Sequence, residues 1–120
     1  MSNNHPFLAE EFLIRWSTLT ADQVASDVTF AIEQAQAALD AIKAVPDTEV
    51  SYDNTFSALE ASTELLERAW GRLNHLDSVS NNEAQRAALN ELLPAVSSFF
   101  SSISLDGDLW KKLKLSLIHI

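Results

Sequence analysis

The stretch Thr20–Ala44, TADQVASDVTFAIEQAQAALDAIKA, decides the fold class. Within it Val24, Val28, Ile32, Ala35, Leu39 and Ile42 recur at steps of three and four residues, the period of one face of an α-helix. Thr20-Ala21-Asp22-Gln23 predicts the start. The Thr20 hydroxyl is placed to cap the amide three residues on, and Gln23 to reach back to Thr20. Pro46 predicts the end, because a proline ring drives the preceding residue out of the helical region.

Outward from this segment the same period returns. Ser51 or Asp53 is expected to cap a second helix, with Phe56, Leu59, Leu66, Trp70 and Leu73 as its stripe and Leu65 and Leu76 widening the face. Asn81 or Asn82 marks a third start. Leu89, Leu92, Leu93, Val96, Phe99, Phe100 and Ile103 follow as an apolar face, with a kink expected at Pro94, which lacks a backbone donor. Asp106-Gly107 breaks the pattern, and a last helix is expected near Asp108, carrying Leu109, Trp110 and Leu113. Upstream, Met1–Leu19 holds no steady period. Its apolar clusters Phe7-Leu8 and Phe12-Leu13-Ile14, with Trp16 beyond, predict an extended arm laid on a neighbouring surface. Short links between long amphipathic helices favour antiparallel neighbours. The expected fold is therefore all-α: an antiparallel bundle of three long helices plus a short C-terminal helix, preceded by an extended N-terminal arm.

Composition agrees. The chain has 120 residues, of which 2 are Gly and 3 Pro, too few breakers for a strand-rich fold. Hydrophobic residues make up 47%, which is too apolar for disorder and enough for one domain's core. The formal charge is −9, so the surface repels phosphates, and no nucleic-acid or membrane partner is expected. There is no Cys, which excludes disulfides, thiolate nucleophiles and Cys-ligated zinc within these residues. The first residues lack a basic segment followed by an apolar one, and no apolar run reaches membrane-spanning length. A cytoplasmic location is the resulting expectation.

No set of residues assembles a reaction. The zinc motif His-Glu-x-x-His is absent, and His5, His75 and His119 lie far apart. His75 reads as a hydrogen-bonded helix histidine. The carboxylates Glu10-Glu11, Asp22 with Asp27, and Glu60, Glu64 and Glu67 read as a solvated surface, with Glu64 and Arg68 spaced as an i,i+4 ion pair. Ser97, Ser98, Ser101 and Ser102 have no Gly-rich elbow and no partner base. Trp70, Phe99 and Phe100 read as core. The expected catalytic, cofactor-binding and metal residues of this chain are none.

An ordered set of short segments carries a resemblance. Pro6-Phe7-Leu8, Trp16-Ser17-x-Leu19-Thr20 and Tyr52-Asp53-Asn54-Thr55 are followed by Ala69-Trp70, His75-Leu76-Asp77-Ser78-Val79, Arg86-x-Ala88-x-Asn90, Leu93-Pro94 and Leu109-Trp110. In that order and spacing, from His5 to Lys114, the chain resembles the N-terminal region of the thimet-oligopeptidase-like zinc metallopeptidases, nearest the bacterial oligopeptidase A branch. The resemblance implies a large helical enzyme that cleaves short peptides. It also implies a zinc held by a His-Glu-x-x-His helix and a downstream Glu, far C-terminal to these residues. The N-terminal helices would form part of the wall of a deep substrate channel. No zinc-binding or catalytic position of that family maps onto this chain.

Leu115-Ser116-Leu117-Ile118-His119-Ile120 departs from the family pattern and resembles the translation of a transposase-type library adapter, CTG TCT CTT ATA CAC ATC, the alternative being a genuine apolar end to a helix. The expected organisation is thus residues 1–114 as the N-terminal helical region of a larger, truncated metallopeptidase and 115–120 as a non-native tail. Its partners would be an oligopeptide, met through the parent enzyme, and the remaining catalytic domain of the same chain. The region itself would bind no zinc and be inactive. The competing expectations are a stand-alone helical interaction module that takes up a partner helix, and a self-associating bundle without ligand.

Overall fold

The computed structural model describes residues 5–80 and 82–119, the last by its backbone alone. Five helices carry the fold: α1 (Ala21–Ala44), α2 (Ala58–Ser62), α3 (Glu64–Val79), α4 (Glu83–Leu105) and α5 (Gly107–His119). There is no strand among the described residues. The all-α class is as expected, and so is the short last helix.

Helix α1 is the hub and touches every other helix. Val24, Val28, Ala31, Ala35, Leu39 and Ile42 are all buried, so the stripe is real, with Ala31 in the core and Ile32 only partly covered. Cross-links between helix ends set the directions. Gln85, near the start of α4, donates to the Leu19 carbonyl just before α1 at 3.0 Å. Lys43, at the end of α1, meets Asp106, just after α4, at 2.8 Å. Helices α1 and α4 therefore run in the same direction. Between them α2 and α3 run back, since Arg68 and Arg72 of α3 reach the arm segment that is also held by Asp27 of α1. Successive long helices are thus antiparallel. Helix α5 lies against α1 and the 53–57 segment, with Leu109 and Leu113 buried and Lys112 paired to Asp47.

The second expected helix is interrupted. Ser51 does cap it: its hydroxyl accepts the Asn54 amide at 3.2 Å, and its own amide donates to the Asn54 side-chain oxygen at 2.8 Å. The Thr55 hydroxyl then takes the Ser51 carbonyl, and the Ser57 amide reaches five residues back to Tyr52, so Asp53–Ser57 winds as a π-turn. A second break falls at Thr63 (φ −102°, ψ 3°), next to Ser62, whose hydroxyl donates to the Leu59 carbonyl. Such side-chain bonds compete with the helical ladder. Hydrophobic period carries no trace of either event.

Other local expectations resolve as follows. Thr20 precedes α1, but its hydroxyl donates to the Asp22 carboxylate and makes no cap bond. That bond, with a backbone one, holds the Asp22 carboxyl below its usual range. Asn82 caps α4 by accepting the Gln85 amide at 2.8 Å, whereas Asn81 lies outside the described residues. Helix α4 is continuous through Pro94. Its covered side is narrower than the sequence suggests: Leu89, Val96 and Phe99 are buried, Leu92, Phe100 and Ile103 partly so, and Leu93 is 44% exposed. Asp106 caps α5, accepting the amides of Asp108 and Leu109 at 3.1 Å each. The same carboxylate is held below its usual range chiefly by Lys43, whose ammonium is raised in return. Helix α5 continues without a break to His119, with Ser116 buried.

The arm is only partly laid down. Phe7, Leu8 and Leu19 are buried, and short turns form at Pro6–Leu8 and Trp16–Thr18. Phe12, by contrast, is 98% exposed, and Leu13 and Trp16 are also exposed. Met1–Asn4 of the expected arm lie outside the described residues. The whole is elongated, with extents of 50 × 28 × 21 Å and a radius of gyration of 16.4 Å. A compact chain of this length would have a radius near 14 Å, roughly. Among the described residues no helix is long and apolar enough to cross a membrane.

Candidate functional site

The most built polar constellation is where the arm meets α1 and α3. Asp27 sits on the covered face of α1, one position before Val28, and is fully buried. One carboxylate oxygen accepts the Phe7 amide at 2.8 Å and the other meets His5 Nδ1 at 2.8 Å. The His5 ring stacks on Phe30, one turn from Asp27 along α1, with centroids 4.3 Å apart and 16° between planes. Asp27 is therefore not part of a solvated surface, as its pairing with Asp22 suggested. Burying a carboxylate is unfavourable unless its oxygens find hydrogen-bond partners, and here each of the two has one. The signal in the sequence is a single charge in the middle of an apolar stripe.

From the other side α3 presents Arg68 and Arg72, one turn apart. Arg68 donates to the Leu8 carbonyl at 3.3 Å and lies 3.7 Å from Glu10. The i,i+4 pair with Glu64 does not form. Arg72 donates to the Phe7 carbonyl at 3.1 Å. The residue Phe7 is thus gripped at both ends of its backbone, its amide by α1 and its carbonyl by α3, while its ring fills the core. Desolvation, and secondly the neighbouring Arg68 charge, lower the proton affinity of the Arg72 guanidinium. Beside this clamp a cleft of about 280 Å³ opens between the arm and α3, with Arg72 in its wall.

The remaining candidates stay apart. His75 is exposed and lies against Trp16, ring centroids 5.1 Å apart. The side chain of His119 lies outside the described residues. Glu60, Glu64 and Glu67 face solvent on α2 and α3, and Ser97, Ser98, Ser101 and Ser102 face solvent on α4. Trp70 is partly buried against the core, and Phe99 and Phe100 meet edge to face at 5.9 Å. No three of the His, Asp and Glu side chains come together as a metal site among the described residues.

Fold and site together define a class: a helical scaffold whose best-built polar features tie its own segments together. The comparison with family models places it further. The family described as Neurolysin/Thimet oligopeptidase, N-terminal domain, matches residues 28–115, and the chain belongs to that family. The matched span takes in most of α1 and all of α2 to α4, and it begins after the arm and Asp27. No curated protein and no solved structure matches the chain.

Proposed function

We propose that this chain is the N-terminal structural region of a zinc-dependent oligopeptidase that hydrolyses short peptides, nearest the bacterial oligopeptidase A branch and located in the cytoplasm. The family match over residues 28–115 is the observation that carries this reading. In it, residues 1–114 form part of the substrate-channel wall and limit entry by size, and zinc is held by residues of the parent enzyme beyond this segment. The elongated shape suits a wall element. Leu105, 84% exposed, and Trp110, 56% exposed, supply apolar surface for the remaining catalytic domain to cover. Residues 115–120 are, in this reading, adapter-derived.

The same exposed residues favour one alternative, a stand-alone module that takes up a partner helix without catalysis. Peptide hydrolysis tests the leading reading. The purified chain, supplied with zinc and a set of quenched fluorescent peptides, is expected to give no cleavage above background. Turnover that disappears with a chelator would refute the assignment of the active centre to residues outside this chain.

A further inference from the structure

The arginine clamp has more donors than the arm uses. Arg72 presents five N–H groups in a planar fork, and one of its nitrogens is engaged, by the Phe7 carbonyl. No carboxylate pairs with it among the described residues, although acidic groups outnumber basic ones about two to one in the chain. Arg68 lies one turn along the same helix, and like charges at that spacing repel. An anion beside Arg72 relieves both the repulsion and the unused donors. The cleft there offers space for one. Pro6, Ala9 and Ile14 give it an apolar wall and Thr18 also lines it, while Arg15 and Glu11, paired at 2.9 Å, line it with charges that offset each other and leave Arg72 as the lining cation without a carboxylate partner among the described residues.

We propose that this cleft between the N-terminal arm and α3 binds a carboxylate carried on an apolar group, with Arg72 forking the carboxylate and Pro6, Ala9 and Ile14 receiving the apolar part. The matching chemistry is the C-terminal end of a short peptide with an aliphatic last residue, or a small aliphatic acid. Choosing the peptide rests on the oligopeptidase reading, whereas the carboxylate site does not. An Arg–carboxylate fork is geometrically specific, which a lysine would not reproduce.

The test is an NMR titration of the 120-residue chain with N-acetyl-Ala-Leu, its C-terminal amide, and 4-methylpentanoate, which shares the isobutyl group and carboxylate. Saturable shifts are expected at the amides of Ala9, Ile14 and Thr18. The amide should bind at least about tenfold more weakly than the acid, since it loses the charge-assisted pair. Arg72→Gln should weaken the acid similarly. Because Arg72 also holds the arm, Thr18→Glu serves as a second variant: it places a repelling carboxylate in the cleft lining, leaves the clamp intact, and should also weaken binding. Equal binding of acid and amide, or no effect of Thr18→Glu, overturns the site. If 4-methylpentanoate binds as tightly as the peptide, the peptide as source is overturned while the carboxylate site is upheld.

Discussion

Replacing Asp27 with Ala is expected to destabilise the fold by about 3 kcal/mol, the scale of removing one partner from a buried ionic or charge-assisted contact. The substitution strands the Phe7 amide and deprives His5 of its partner. It also leaves a small void on the covered face of α1. Asp27→Asn should lose less, because a carboxamide oxygen still accepts from Phe7. Denaturant unfolding at pH 7 measures both. If the arm is clamped as described, Asp27→Ala should also raise hydrogen exchange at Leu8, whose amide donates to the His5 carbonyl, well before global unfolding. Effects of Asp27→Ala and His5→Ala should be less than additive, since both remove one contact. An Asp27→Ala protein as stable as the parent would show that the arm contributes nothing to the fold.

The second large effect concerns two leucines that look alike in the sequence. Leu73 of α3 is fully buried, and Leu73→Ala is expected to remove about 3 kcal/mol through lost transfer energy and the cavity left behind. Leu93 of α4 occupies an equally good stripe position, but it is 44% exposed, so Leu93→Ala should fall within about 0.5 kcal/mol of the parent. Paired urea titrations decide the matter. Similar losses at both positions would mean that Leu93 is covered in solution, as by association between chains.

These two cases show what the residue pattern does and does not contain. The all-α class, the boundaries near Ala44 and Asn82, and the buried faces of α1 and α3 follow from period and punctuation, which are local properties, whereas the four expected helices became five. Which part of a wide stripe is covered depends on the number of neighbours a helix has. Helix α4 lies at the side of the bundle, so Leu93 stays out while Gln85 goes in, drawn by the Leu19 carbonyl. The arm clamp joins residues 60 and 65 positions apart, Leu8 with Arg68 and Phe7 with Arg72, and no local pattern encodes such a pairing. Asp27 was the one legible sign of it, a charge set among Val24, Val28 and Ala31. The interruptions at 53–57 and Thr63 come from hydroxyls bonding to nearby carbonyls, chemistry that hydrophobic period does not register.

The candidate site divides in the same way. Short motifs in order were enough to indicate the oligopeptidase family, which the match over 28–115 establishes. The cleft beside Arg72 was not legible, because Pro6, Ala9, Ile14 and Arg72 converge only once the arm folds back over α3.

The central claim is that these helices are scaffold for a metal centre encoded elsewhere in the same gene. Reading the genomic locus through and beyond codon 114 tests it most directly. The account predicts that the frame continues past Lys114 with native sequence unlike Leu115–Ile120 and, far downstream, encodes His-Glu-x-x-His. A native stop codon close to Lys114, with no such motif in frame, would contradict it.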